Sequence, residues 1–209
     1  MQTYHFPVFM IILKGFDNMK VVLFGDSLTF GYGVWPKDNI EHLLKNCYKD
    51  TEFINSGVNG DTTREAAERF ENDVLKFNPD IVTFLFGSND SAMGEGAYRT
   101  LYEYRLNLQA MVEEIRLKNK DCKIIMITPP PVDDTVFMPW TYNDRLAPYC
   151  STVREISYEY NTYLADFNKH LSGIEDLTLY LQEDGCHLSE KGYVEFFNCL
   201  KGVLDTINI

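Results

Sequence analysis

Short apolar runs rich in β-branched residues alternate along this chain with stretches whose apolar residues recur at helical spacing, and this alternation restricts the fold more than any other feature. Lys20-Val-Val-Leu-Phe24, Glu52-Phe-Ile-Asn55, Asp80-Ile-Val-Thr-Phe-Leu-Phe86, Lys123-Ile-Ile-Met-Ile-Thr128 and Tyr163-Leu-Ala-Asp166 read as five strands. Runs that are apolar at nearly every position are those of strands covered on both faces. Between them, Pro36 is expected in the first turn of a helix carrying Ile40, Leu43, Leu44 and Cys47 on one side. Thr62-Thr-Arg-Glu65 reads as a capping box ahead of Ala66, Ala67, Phe70, Val74 and Phe77, and Asn78-Pro79 closes that helix. A third helix is expected from about Tyr98 to Lys118, with Leu101, Leu108, Val112 and Ile115 on its buried stripe, and a fourth from about Asp144 to Tyr160. Ser189-Glu190 starts a last one, with Val194, Phe197, Leu200 and Val203 in phase. Pro129-Pro130-Pro131 must leave the sheet, because proline cannot donate into a central ladder.

Parallel strands need right-handed crossovers, so this order predicts an α/β fold of three α/β/α layers around a five-stranded, mostly parallel, flavodoxin-like sheet. Ligands of such sheets sit beyond the carboxyl ends of the strands. Residues 19–209 read as a single domain and residues 1–18 as an N-terminal extension. Phe6 to Leu13 is apolar, but no basic residue precedes it and no small-residue cleavage pattern follows, which disfavours a signal peptide.

The formal net charge of −12 would repel a phosphate backbone, and there is neither a polybasic cluster nor an apolar stretch of the ~20 residues a membrane span needs. Nucleic acid and an integral membrane segment are therefore not expected, and a small-molecule substrate is. Cys47, Cys122, Cys150, Cys186 and Cys199 form an odd set without C-x-x-C spacing and read as reduced thiols. That points to a cytoplasmic location, with secretion as the alternative. His5, His42 and His170 have no metal-ligand spacing, so no metal site is expected.

The chemistry-bearing residues fall in loops that follow strands. Gly25-Asp26-Ser27-Leu28-Thr29 comes directly after the first strand and lifts a serine to the carboxyl edge of the sheet. A serine hydroxyl is a poor nucleophile unless a base lies within hydrogen-bond reach and an acid orients that base. Asp184-Gly185-Cys186-His187 supplies both in one turn before the terminal helix. An oxyanion needs donors, and two loops offer them. In Asn55-Ser-Gly-Val-Asn-Gly60-Asp61 the Gly60 amide precedes a helix, and in Gly87-Ser-Asn89-Asp90 the Asn89 side chain carries an amide.

In these four blocks the chain resembles the SGNH hydrolases, also called the GDSL esterase and lipase family, over nearly everything from Met19 onward. Gly25-Asp-Ser-Leu28 resembles the nucleophile block, Gly60 the glycine block, Gly87-Ser-Asn-Asp90 the G-x-N-D block and Asp184-Gly-Cys-His187 the D-x-x-H block. The resemblance implies the SGNH hydrolase fold, a Ser27, His187 and Asp184 triad, and an oxyanion hole made by the Ser27 amide, the Gly60 amide and the Asn89 side chain. It implies a serine esterase acting on short-chain acyl esters without a cofactor. A carbohydrate O-acetyl esterase, or a lysophospholipase or thioesterase on the same site, is the alternative. Pro129-Pro-Pro-Val132 also resembles a subgroup acting on short-chain alkyl esters.

Simpler readings stand beside these. Ser27 alone could be a turn serine, and His187 a surface histidine before a helix. Asp26 and Asp90 are expected to hold their loops through backbone amides rather than to act as acids. Cys186, next to His187, is expected to be inert. The loop Phe137-Met-Pro-Trp-Thr-Tyr142 lines an acyl pocket or simply packs on the domain. A catalytically silent binding domain and a nucleotide binder are the rivals from other classes. The second lacks both G-x-G-x-x-G and a P-loop. Acyl length, leaving group and oligomeric state are left open by the sequence.

Overall fold

The computed structural model describes residues 19–94, 96–137 and 140–207. The segment 1–18, with His5, lies outside the described residues. Five strands, β1 (Met19–Gly25), β2 (Thr51–Gly57), β3 (Ile81–Leu85), β4 (Lys123–Ile127) and β5 (Tyr163–Ala165), form one sheet in the order β2-β1-β3-β4-β5. Every pairing is parallel, so the expected mostly parallel sheet is wholly so among the described strands.

Alternate side chains leave the sheet on opposite faces. Val22, Phe24, Val82, Phe84, Ile124 and Met126 pack against residues of α3 (Thr63–Asp73), α4 (Leu101–Lys118) and α5 (Asn143–Glu159). Val21, Leu23, Ile81, Leu85, Ile125 and Ile127 pack against α2 (Ile40–Cys47), α6 (Phe167–Ser172) and α7 (Glu190–Ile207). The central strands are therefore buried on both sides, which is why they read as continuous apolar runs. No helix among the described residues is long and apolar enough to cross a membrane.

The chain runs from β1 outward to β2, then back across β1 to β3, so the strand order reverses between β1 and β3. Such a reversal opens a crevice at the carboxyl edge. Gly25 ends β1 in register with Gly57 of β2 and Leu85 of β3. The loops carrying Ser27, Gly60 and Asn89 thus start at one level on one edge.

Four sequence expectations need correction. Helix α3 ends at Asp73, short of Val74 and Phe77, and Leu75–Phe77 form a separate 3-10 turn that left-handed Asn78 closes. Pro36 opens a separate short 3-10 turn (Pro36–Asp38), and α2 starts only after Asn39, whose side chain caps the His42 amide at 2.9 Å. Helix α4 begins at Leu101 rather than near Tyr98, because the Thr100 hydroxyl accepts from the Glu103 amide and caps it there. Its buried stripe is Tyr104, Leu108, Met111, Val112 and Ile115, with Leu101 exposed. In α7 the buried residues are Tyr193, Phe196, Leu200 and Leu204, and Val194 is exposed. Long-range partners rotate this helix: the Tyr193 hydroxyl donates to the Leu28 carbonyl at 3.0 Å, and Phe196 stacks on Phe167. The capping box at Thr62 and Glu65 forms as its spacing predicts.

Candidate active site

Asp26 caps the single-turn helix α1 (Ser27–Phe30) by accepting from the Leu28 amide at 2.9 Å. The turn ends at Gly31, where φ is +97°, and the amides of Gly31 and Tyr32 both return to the Ser27 carbonyl at 3.1 Å. Ser27 is thereby held at a helix start immediately beyond the sheet edge.

The segment before α7 is a tight loop closed by the antiparallel bridge between Leu181 and Leu188. The Gln182 amide donates to the His187 carbonyl at 2.8 Å, and the Gly185 amide to the Gln182 carbonyl at 2.9 Å. Asp184 Oδ1 accepts from the amides of Cys186 and His187, each at 2.9 Å, which fixes the carboxylate. Its Oδ2 is then 2.6 Å from His187 Nδ1. Gly185 is required in this turn, because φ is +69° and a Cβ would lie 2.5 Å from Val136 Cγ2.

His187 Nε2 lies 3.0 Å from Ser27 Oγ, across 160 residues of sequence. The structure therefore brings Ser27, His187 and Asp184 into one hydrogen-bonded chain. Burial pushes the Asp184 carboxyl upward, but the bonds from the His187 ring, the His187 amide and the Cys186 amide outweigh it and leave its pKa below the ordinary value. The imidazole is flanked by the Tyr32 ring, 4.4 Å away between centroids and tilted by 38°.

Gly60 and Asn89 face the same cavity as Ser27, a space of about 460 Å³ whose other walls include Leu28, Tyr32, Trp140 and Cys186. Gly60 has φ +81° and open space where a Cβ would stand, so its backbone meets the cavity bare. The Asn89 amide nitrogen donates to the Asp61 carbonyl at 2.8 Å and lies 3.5 Å from Asp26 Oδ2. Its oxygen accepts from Trp140 Nε1 at 3.1 Å. In the loop expected to line an acyl pocket, Trp140 reaches the cavity, Phe137 is exposed, and Met138 and Pro139 lie outside the described residues. Cys186 is a wall residue whose thiol burial pushes up to about 12, so it stays neutral.

Three buried carboxyl groups, those of Asp26, Asp61 and Asp90, directly adjoin the cavity-lining residues Ser27, Gly60 and Asn89 in sequence. Asp90 Oδ1 accepts from the Thr63 amide at 3.0 Å and the Thr63 hydroxyl at 2.6 Å, which is the loop-holding role expected of it. Asp61 is held by Arg69 Nε at 2.5 Å, and the same guanidinium donates to the carbonyls of Ser56 at 2.9 Å and Gly25 at 3.0 Å. Arg69 thus ties the carboxyl ends of β1 and β2 to the Gly60 turn. Burial raises Asp90 to about 6. Asp26, only 1% exposed, is raised to about 7 by burial and then by the nearby charges of Asp90 and Asp61.

A pKa raised on folding means that the folded protein keeps a proton which the unfolded chain releases near pH 4. Asp26 therefore favours folding less and less as pH rises from about 4 through 7, by on the order of 4 kcal/mol in all. Asp26→Asn keeps the oxygen that accepts from Leu28. The melting temperature of this variant relative to wild type is expected to rise between pH 5 and pH 8. A difference that stays constant with pH would contradict it.

Sequence reasoning missed Tyr32, Arg69 and Gln182. Gln182 Nε2 donates to the carbonyls of Tyr32 and Leu188, both at 2.9 Å, and so ties the base loop to the segment after Ser27. The one available signal was Gly31, whose left-handed conformation ends α1 and returns Tyr32 toward the serine. His170 instead pairs with Glu195 on the surface at 2.8 Å. No cluster of three or more His, Cys, Asp or Glu side chains among the described residues is placed to hold a metal ion.

The model of the GDSL-like lipase/acylhydrolase family matches residues 23–194. The human isoamyl acetate-hydrolyzing esterase 1 homolog is 28% identical, over 87% of this chain and 79% of that protein. An acetylxylan esterase of Xylanibacter ruminicola is 26% identical over 84% of this chain and 41% of its own length. The crystal structure of a lipase/acylhydrolase from Enterococcus faecalis superimposes with a TM-score of 0.78 at 30% identity, covering 87% of this chain and 93% of that one.

Proposed function

This chain belongs to the GDSL-like lipase/acylhydrolase family and is a hydrolase of ester bonds, and we propose that it cleaves short-chain carboxylic esters through an acyl-enzyme on Ser27. The observation that carries this reading is the chain of contacts from Ser27 Oγ to His187 Nε2 (3.0 Å) and from Nδ1 to Asp184 Oδ2 (2.6 Å). Ser27 Oγ attacks the ester carbonyl carbon while its proton passes to Nε2, and Asp184 stabilises the imidazolium. The carbonyl oxygen becomes an oxyanion held by the Ser27 amide, the Gly60 amide and the Asn89 side chain, with each donor contributing about 3–4 kcal/mol. Collapse breaks the bond to the leaving alkoxide, which takes the proton from Nε2. Water then repeats the attack on the acyl-enzyme with His187 as base, releasing the acid and restoring Ser27.

A cavity of about 460 Å³ with Leu28, Tyr32, Trp140 and Cys186 in its walls suits a small uncharged acyl ester. The similarity to an esterase whose name specifies isoamyl acetate supports the same class. The acetylxylan esterase similarity favours an acetylated carbohydrate as the second reading, on the same machinery.

Two assays test the proposal. A serine-directed phosphonate is expected to form one adduct, on the peptide containing Ser27. Among p-nitrophenyl esters, acetate and butyrate are expected to turn over faster than long chains. Labelling elsewhere, or none, would remove Ser27 as nucleophile. Turnover confined to long chains would move the substrate to lipids or thioesters, and turnover confined to acetylated xylo-oligosaccharides would select the second reading.

A further inference from the structure

We propose that Trp140 is a positioning residue for the reaction, orienting the Asn89 amide so that one of its N–H bonds is presented to the oxyanion; the inference rests on Asn89 acting as an oxyanion donor. A primary amide turned by half a rotation exchanges its oxygen and nitrogen, and a flipped Asn89 would aim an acceptor where a donor is needed. Its two close neighbours have opposite polarity. The indole nitrogen can only donate and sits 3.1 Å from Oδ1, while the Asp61 carbonyl can only accept and sits 2.8 Å from Nδ2. A flip would lose both bonds and create one contact between two acceptors and another between two donors.

In the observed orientation one Nδ2 hydrogen is spent on Asp61. Among the described residues, the other has only Asp26 Oδ2 within reach, at 3.5 Å, the far limit of a hydrogen bond. It is therefore the hydrogen left for a ligand in the cavity that Asn89 lines.

Trp140 is 45% exposed, so it is not held in place as a core residue. Its segment is stitched instead to the turn that carries Asn89. The Met93 amide donates to the Trp140 carbonyl at 3.1 Å, and the Thr141 hydroxyl donates to the Ser91 carbonyl at 3.0 Å. Arg145 donates through Nε to the Ser91 carbonyl and through a terminal nitrogen to that of Ala92, both at 3.0 Å. The turn itself is closed by the Ser91 amide on the Gly87 carbonyl at 2.9 Å. The loops after β3 and β4 thus form one hydrogen-bonded body, with the indole N–H as its contact to the amide 51 residues away.

Trp140→Phe keeps an aromatic wall and removes only the donor. With p-nitrophenyl acetate its kcat is expected to fall by about tenfold while KM stays within about twofold, the scale of one lost orienting hydrogen bond. In an Asn89→Ala background the same change should have no further effect on kcat, because the group being oriented is gone. Unchanged phosphonate stoichiometry at Ser27 would show that the variants are folded. A loss that appears in KM, or that multiplies in the Asn89→Ala background, would overturn the proposal by making Trp140 a wall alone, as would wild-type kcat. Wild type without Ser27-dependent turnover would instead sink the underlying reading, and this one with it.

Discussion

Ser27→Ala and His187→Ala are each expected to lower kcat on p-nitrophenyl acetate by on the order of 10⁶-fold, and the double variant to be no slower than either single one. The physical reason is that the two side chains form one device. Without Oγ there is nothing for the imidazole to deprotonate, and without the imidazole the hydroxyl, 3.0 Å from it, keeps its proton. The proposed oxyanion donors are untouched by either change, so a residual acceleration of roughly 10³–10⁴ over water should survive in all three. The turn at Ser27 is held by bonds to its backbone carbonyl and by the Asp26 cap rather than by Oγ, so removing one oxygen leaves the fold in place, and circular dichroism spectra should overlay. Losses that multiply in the double variant would mean that Ser27 and His187 contribute independently, and the proposed mechanism would fail.

Asp184→Asn is expected to lower kcat by about 10⁴-fold with little change in KM. The asparagine oxygen can still accept from the Cys186 and His187 amides, so the turn should survive. The atom now facing Nδ1 is an amide nitrogen, a donor, and it forces the imidazole proton onto Nε2. The ring then offers Ser27 a hydrogen instead of a lone pair. Asp184 is held below its ordinary pKa by the bonds it accepts, so in wild type it stays ionised between pH 7 and 5, and loss of rate over that range does not come from it. A drop of less than tenfold would show that Asp184 does not set the tautomer.

The features legible in the sequence are those that neighbours along the chain determine. The strands are visible as apolar runs because both faces of β1, β3 and β4 are covered, and the Thr62–Glu65 capping box because its partners are three residues apart. The Asp184–His187 unit is local in the same sense, since one turn supplies both backbone donors and the ring. The phase of α7 is not visible locally because Val194 and Tyr193 are almost equivalent by pattern, and distant partners, the Leu28 carbonyl and the Phe167 ring, select the face that carries Tyr193 and Phe196.

Local pattern and spacing thus set the strand and helix order and which residue types stand after which strand. Which of them meet depends on how the layers pack. The reversal of strand order at β1 and β3 brings the loops after three strands to one edge, and the packing of α7 on the sheet carries His187 to Ser27. Other tertiary contacts seat Tyr32 on the imidazole, join Trp140 to Asn89 through the loops after β3 and β4, and let Arg69 of α3 tie β1 to β2. Those contacts join segments far apart in the chain. Their geometry follows from how whole layers stack, and no spacing within a segment encodes it.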